Sequence, residues 1–155
     1  MTTETLTKPA ITVMGWHPAF AVDVARLCQA FSDESLNEYG LGVTEDKMLL
    51  MTEVCKNISF FLVVDGKAVG VIAGILVENL TNGKPAIQEV IWYVDKEYRS
   101  HGKKLMVALE ELAKAMKVSS IVMGLMCNSM QDRLDKFYRR LGYRPFEVQY
   151  IKEIS

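Results

Sequence analysis

The stretch Ala86-Ile-Gln-Glu-Val-Ile-Trp-Tyr-Val94-Asp-Lys-Glu-Tyr-Arg-Ser-His-Gly102-Lys-Lys-Leu105 runs from a β-prone, apolar segment through a polar, basic loop into a helix start. Residues 86–94 are rich in β-branched and aromatic side chains, as strands are. From Lys103 to Lys117, Leu105, Met106, Leu109, Leu112, Ala113 and Met116 recur at helical spacing and predict a one-sided apolar helix. Ser120-Ile-Val-Met-Gly-Leu-Met126 predicts another strand. A strand, a helix and a strand joined by short connections form a crossover unit, so strands 86–94 and 120–126 are expected to be parallel neighbours.

Upstream, Ser59–Val64 and Ala68–Val77 flank Asp65-Gly66, a pair suited to a two-residue type I′ turn. A second turn at Thr81-Asn-Gly-Lys84 extends this hairpin into a three-stranded meander. Ile11–Met14 predicts a first strand. Pro18–Phe31 predicts a helix with Pro18 in its first turn. Ser32–Gly42, polar and with two glycines, predicts a loop. Thr44 is a good N-cap for a helix from Glu45 to about Lys56. Downstream, Gln131–Leu141 predicts a helix ended by Gly142. Tyr143 to about Ile154 predicts a final strand or strand pair interrupted at Pro145. The expected fold class is α/β, with a single domain over residues 10–155. Its mixed central sheet would have six to seven strands and about four helices, preceded by a flexible lead over residues 1–9.

At 155 residues the chain suffices for one domain with a sizeable core. A formal net charge of −1 argues against broad electrostatic binding of nucleic acid, although Lys96–Lys104 and Arg133–Arg144 are locally basic. No apolar run reaches the roughly 18 residues of a membrane span, and Met1–Pro9 lacks an apolar signal core. The three cysteines, Cys28, Cys55 and Cys127, show no metal-ligand spacing and suit reduced, mostly buried thiols in the cytoplasm. Cys127 is a poor nucleophile candidate because no histidine follows it. No metal site is expected.

A helix start offers free N–H groups and the positive end of a dipole, and so favours anions. Gly102 lets backbone approach a ligand, while Arg99, Lys103 and Lys104 add positive charge. Taken alone, these features fit a phosphate site or an ordinary solvated first turn.

At these residues the chain resembles the GNAT superfamily of N-acetyltransferases, in particular small bacterial or tailed-phage members. Their pyrophosphate loop follows Arg/Gln-x-x-Gly-x-Gly/Ala after a strand ending in Val; here Arg99-Ser-His-Gly102-Lys-Lys104 follows Val94. Lys136-Phe-Tyr138-Arg-Arg-Leu-Gly142-Tyr143-Arg-Pro145 resembles the second signature, a helical tyrosine followed by glycine and an aromatic. The element order matches from about residue 10 to 154. Lys104 stands where Gly or Ala is usual, and Gln131 where Asn is common.

The resemblance implies acetyl-coenzyme A as cosubstrate, held by Trp92, Tyr93, Val94, Arg99, Ser100, His101, Gly102, Lys103 and Lys104. An N–H near Trp92 would polarise the thioester carbonyl. An alkyl ammonium, with a pKa near about 10.4, must lose a proton before it attacks. Gln88 cannot take it; Glu89, an acid in an apolar strand, can, and burial would raise its pKa toward a useful range. Tyr138 is the corresponding candidate acid for the departing thiolate. The plain alternatives are an edge-facing or salt-bridged Glu89, with deprotonation relayed through water, and a core-facing Tyr138. The implied function is N-acetylation of a primary amine on a small molecule or peptide by direct attack. The alternative is a weak or inactive protein of this fold that binds acyl-CoA or a host protein. The acceptor is expected at Ser32–Gly42, Asn79–Lys84 and Phe146–Tyr150, where Asp33, Glu34 and Glu38 would suit a cation. Expected partners exclude nucleic acid and membrane and include a possible homodimer through the C-terminal strands.

Overall fold

The computed structural model describes residues 9–154; the lead expected over 1–9 lies almost wholly outside them. The strands are β1 (Ile11–Gly15), β2 (Ser59–Val64), β3 (Lys67–Glu78), β4 (Pro85–Val94) and β5 (Ser120–Val122). The helices are α1 (Ala21–Phe31), α2 (Glu45–Cys55), α3 (Gly102–Met116) and α4 (Gln131–Arg140). The strands form one sheet in the order β1-β2-β3-β4-β5. All pairs are antiparallel except β4 and β5, which are parallel as the crossover rule requires.

Asp65 and Gly66 take φ values of 51° and 76°, the double left-handed turn that closes β2 onto β3. Gly142, at φ 88°, ends α4 while the Tyr143 N–H bonds back to the Tyr138 carbonyl. Thr44 precedes α2 as expected, but its hydroxyl donates to the Asp46 carboxylate (2.7 Å) rather than accepting from the helix.

Each sheet face buries its own core. Phe61, Val63, Val71, Ala73 and Ile91 pack against Phe20, Val24, Leu27 and Cys28 of the α1 side and Cys55 of α2. Leu62, Val64, Ile72 and Ile87 pack against Leu105, Met106, Leu109 and Ala113 of α3. The predicted α3 stripe is therefore the buried face as far as Ala113, with Leu112 half-buried and Met116 exposed at the helix end.

Four expectations are corrected. The sheet has five strands among the described residues, not six to seven. Tyr143–Ile154 follows an irregular path, and Phe146, Val148, Tyr150 and Ile154 are exposed. Its alternation of apolar residues is a strand pattern, but Pro145 removes a donor at its start and no strand pairs with it here. The strand expected over 120–126 stops at Val122. Ser32–Gly42, expected as a loop, is mostly helical: a π turn over Ser32–Leu36 and a 3₁₀ turn over Asn37–Tyr39 prolong α1.

Candidate active site

The site is built where β4 loses one neighbour. β5 pairs with β4 only at Ala86–Ser120, Ile87–Ile121 and Gln88–Val122. Beyond this point β4 stays paired with β3 up to the Val94–Gly70 pair. Its other edge has no partner strand among the described residues from Glu89 to Val94.

A β-bulge falls at the same place. Glu89 pairs with Gly74 and Ile91 with Ala73, so Val90 is the extra residue. Val90 and Ile91 consequently both pack on the α1 side, whereas Ile87 and Trp92 lie on the α3 side. Gly74 permits this kink: a Cβ there would come within 2.7 Å of the Gln88 carbonyl oxygen.

The Glu89 carboxylate turns to the separated end of β5. Its Oε2 accepts the Gly124 N–H at 3.0 Å, a group the missing ladder would otherwise leave unpaired. Burial pushes the Glu89 carboxyl up to about 7, against the lowering effect of that N–H. From α4, the Tyr138 hydroxyl donates to the Gly124 carbonyl at 2.9 Å. Base and acid candidates thus meet on opposite sides of one residue. Burial, reinforced by the Glu89 charge and then by Tyr143, raises the Tyr138 phenol and keeps it protonated. Its ring packs on Trp92 (centroids 5.9 Å apart) and Tyr143 (5.8 Å).

Around the expected phosphate loop, Val94 is buried and its carbonyl accepts from Arg99 Nε at 3.0 Å. Tyr93 lies on the α1 face against Phe31, with the Arg99 guanidinium 5.5 Å above its ring. Trp92 lies on the α3 face, where its Cζ2 would sit 3.4 Å from a Cβ on Gly102. Its buried indole N–H has no partner among the described residues. Lys96–His101 is a 3₁₀ turn running straight into α3, not an open loop, and the Gly102 N–H already bonds to the Arg99 carbonyl. Ser100, Lys103 and the out-of-pattern Lys104 are exposed, and His101 is half-buried.

The acidic residues expected to greet an amine are engaged internally. Glu34 pairs with Arg99, Glu38 accepts from Asn128 (2.8 Å), and Asp33 accepts from Gln29 (2.9 Å) and Asn37 (3.0 Å). Of the other two acceptor candidates, Asn79 and Phe146 line one groove with β5, and Glu153 of the C-terminal segment rests against Gly40. Cys28 and Cys55 are buried and Cys127 is exposed; no metal-binding group of His, Cys, Asp or Glu occurs among the described residues. No helix is long and apolar enough to cross a membrane.

The model of the Acetyltransferase (GNAT) family matches residues 24–143, well over half of the chain. The chain belongs to the GNAT acetyltransferase family. No curated protein sequence matches it closely enough to count. Among solved structures, a ribosomal-protein-alanine N-acetyltransferase from Brucella melitensis biovar Abortus superposes with a TM-score of 0.71 at 19% identity, covering 94% of this chain and 99% of that one. A Trypanosoma brucei acetyltransferase gives 0.70 at 15% identity, over 94% and 100% of the two chains. An aminoglycoside acetyltransferase from an uncultured soil sample gives 0.69 at 17%, over 94% and 99%. At these identities the likeness shows the GNAT fold.

Three features of this GNAT site escaped sequence reading: the Gly124 peptide, the bulge at Val90 and the Glu34–Arg99 pair. Gly124 inside an apolar strand pattern, and Gly74 inside another, were the available signals, since strand glycines mark bends and close approaches. Nothing local to Glu34 announces Arg99, which is 65 residues away.

Proposed function

We propose that this GNAT protein transfers an acetyl group from acetyl-CoA to a primary amine by direct attack. The observation that carries the reading is the separation of β4 from β5 at Glu89, with Glu89 and Tyr138 meeting at Gly124.

Acetyl-CoA supplies an activated thioester when bound, and the chain has groups that suit it. The open edge of β4 offers unpaired backbone groups to pantetheine amides. The unpartnered Trp92 indole N–H and the start of α3 offer donors toward phosphate. Lys103 and Lys104 are exposed beside them, and Arg99, Ser100, His101 and Gly102 complete the loop. Tyr93 and Val94 frame the slot's end.

Four tasks then fall to this chain. The β4 N–H near Trp92 holds the carbonyl oxygen as charge grows there. Glu89, at about 7, is sufficiently basic at neutral pH to accept the amine's proton. Tyr138, protonated throughout the usable range, donates to the departing sulfur. Aromatic packing of Trp92, Phe137 and Tyr138 limits water on the α4 side. The thiols, none disulfide-bonded, suit a cytoplasmic setting.

One observation favours a second reading, a GNAT-fold protein with weak turnover: the Lys96–His101 turn is closed on itself and Arg99 is bonded within the protein through all three nitrogens. Calorimetry with acetyl-CoA decides between them, followed by thiol release across a panel of amines. Binding with thiol release supports the enzyme. Binding without release supports the second reading, and no binding at millimolar acetyl-CoA overturns both.

A further inference from the structure

The helical turn after α1 is tied to both segments that flank the open half of β4. At Ser32–Leu36 the α1 path widens into a π turn, a departure that redirects side chains and recurs at functional sites. The turn is held firmly. Ser32 is 1% exposed, accepts the Val43 N–H at 2.8 Å and donates to Asn37 Oδ1 at 3.0 Å.

From this fixed turn Glu34 reaches Arg99, whose Nη2 donates to both carboxylate oxygens at 3.0 and 2.9 Å. The other two nitrogens are also engaged: Nε donates to the Val94 carbonyl at 3.0 Å and Nη1 to Met130 Sδ at 3.4 Å. Asn128, in the connection after β5, donates to the Ser35 carbonyl at 3.2 Å and to Glu38 at 2.8 Å. Two segments distant in sequence therefore converge on one turn, with Arg99 at the junction.

We propose that Glu34 is a positioning residue of the acyl-transfer reaction, holding the Lys96–His101 turn in place through Arg99 and so coupling the acceptor side of the sheet to the acetyl-CoA side. The inference rests on reading Arg99–Lys104 as the cofactor loop. Exposed ion pairs contribute little, because water screens them and long side chains lose freedom. This pair differs: the two side chains are 21% and 25% exposed, and removing one leaves a half-buried charge. Without Glu34, Arg99 keeps a neutral carbonyl and a thioether, both weaker acceptors than a carboxylate. The turn then loses its hold on α1, and the loop must be ordered anew each time acetyl-CoA binds.

The test measures acetyl-CoA binding by calorimetry in wild type, Glu34→Gln, Arg99→Gln and the double variant. Glu34→Gln keeps the size of the side chain and removes its charge; Glu34→Asp serves if Gln does not fold. The expected result is about tenfold weaker binding in each single variant and no further loss in the double, the mark of one shared interaction. Steady-state rates should show acetyl-CoA KM raised with kcat within about threefold, a split that general destabilisation would not produce. Glu34→Gln binding within twofold of wild type, tighter binding, or additive losses in the double variant would each overturn the inference while leaving acetyl-CoA binding by wild type intact. Failure of wild type to bind at all overturns the functional reading as well, so the two failures are distinguishable.

Discussion

The two halves of β4 share a backbone and a composition but not an environment. Pro85–Gln88 is hydrogen-bonded on both sides, to β3 and β5, with Ala86 and Ile87 buried. Ile91–Val94 is paired only with β3. The change falls at Glu89, where the bulge begins and β5 departs. Buried backbone groups need partners, so a strand that loses its neighbour must find substitutes. At Glu89 the substitute is a carboxylate on the Gly124 N–H. Beyond it, that edge has no partner strand among the described residues. On the proposed function the paired half carries stability and the open half carries chemistry, and substitutions on either side can break or sharpen that division.

Glu89→Gln should have the largest effect. It removes the proposed base while keeping an acceptor for the Gly124 N–H, and kcat should fall by about 10²- to 10⁴-fold. In wild type, kcat/KM should rise with pH through about 7, as Glu89 ionises, with no downturn from Tyr138 below pH 10. Stability should run the other way. The folded state favours the protonated carboxyl, so its contribution is complete below the unfolded value of about 4.3 and is lost as pH rises through about 7. Glu89→Gln should therefore raise the Tm at pH 8 and leave it nearly unchanged at pH 4. A Tm gain equal at both values would remove Glu89 ionisation from the account.

Tyr138→Phe follows. It removes the proton donor and the bond to the Gly124 carbonyl but keeps the ring among Trp92, Phe137 and Tyr143. The expected loss in kcat is about 10²-fold, measured by thiol release, with about 1 kcal/mol of stability lost by denaturant titration. An unchanged rate would take Tyr138 out of the mechanism and make the Gly124 bond structural.

The sequence states the division of β4 only in part. Local rules located the four helices, the Asp65-Gly66 turn and the parallel β4–β5 pair, because each depends on periodicity, turn chemistry or handedness within a short span. The end of β5 did not follow from them. Met123, Leu125 and Met126 continue an apolar run, and only Gly124 hints that pairing stops. The final strand failed for a similar reason: alternation at Phe146, Val148 and Tyr150 specifies a strand but not a partner. Glu89 and Tyr138 were singled out individually, yet their meeting at one peptide depends on how far β5 swings away from β4, a tertiary quantity. In sequence Arg99 reads as free charge, whereas its ion pair with Glu34 spans 65 residues.

Gly102→Ala tests the far end of the open half. A Cβ there would lie 3.4 Å from the Trp92 ring, an ordinary contact, so the protein should fold with Tm within a few degrees. The added methyl group stands at the start of α3, where the backbone is expected to approach phosphate. Acetyl-CoA should bind about tenfold more weakly by calorimetry, an amount of the size a lost or lengthened charge-assisted hydrogen bond produces. Unchanged affinity would move the phosphate away from Gly102.

Ile87→Val, in the paired half, should have the smallest effect on activity and is the sharpest test of the division. Ile87 is fully buried, pairs with Leu76 and Ile121, and packs into the α3 core. Removing one methylene should cost about 1 kcal/mol of stability. It changes no hydrogen bond of the ladder, because both residues are β-branched and keep the backbone extended. Thiol-release kcat and acetyl-CoA KM should then stay within about twofold of wild type. Ile87 lies two residues from Glu89, so a larger drop in kcat would show that core packing in the closed half sets the position of the base, and the two halves would have to be treated as one mechanical unit.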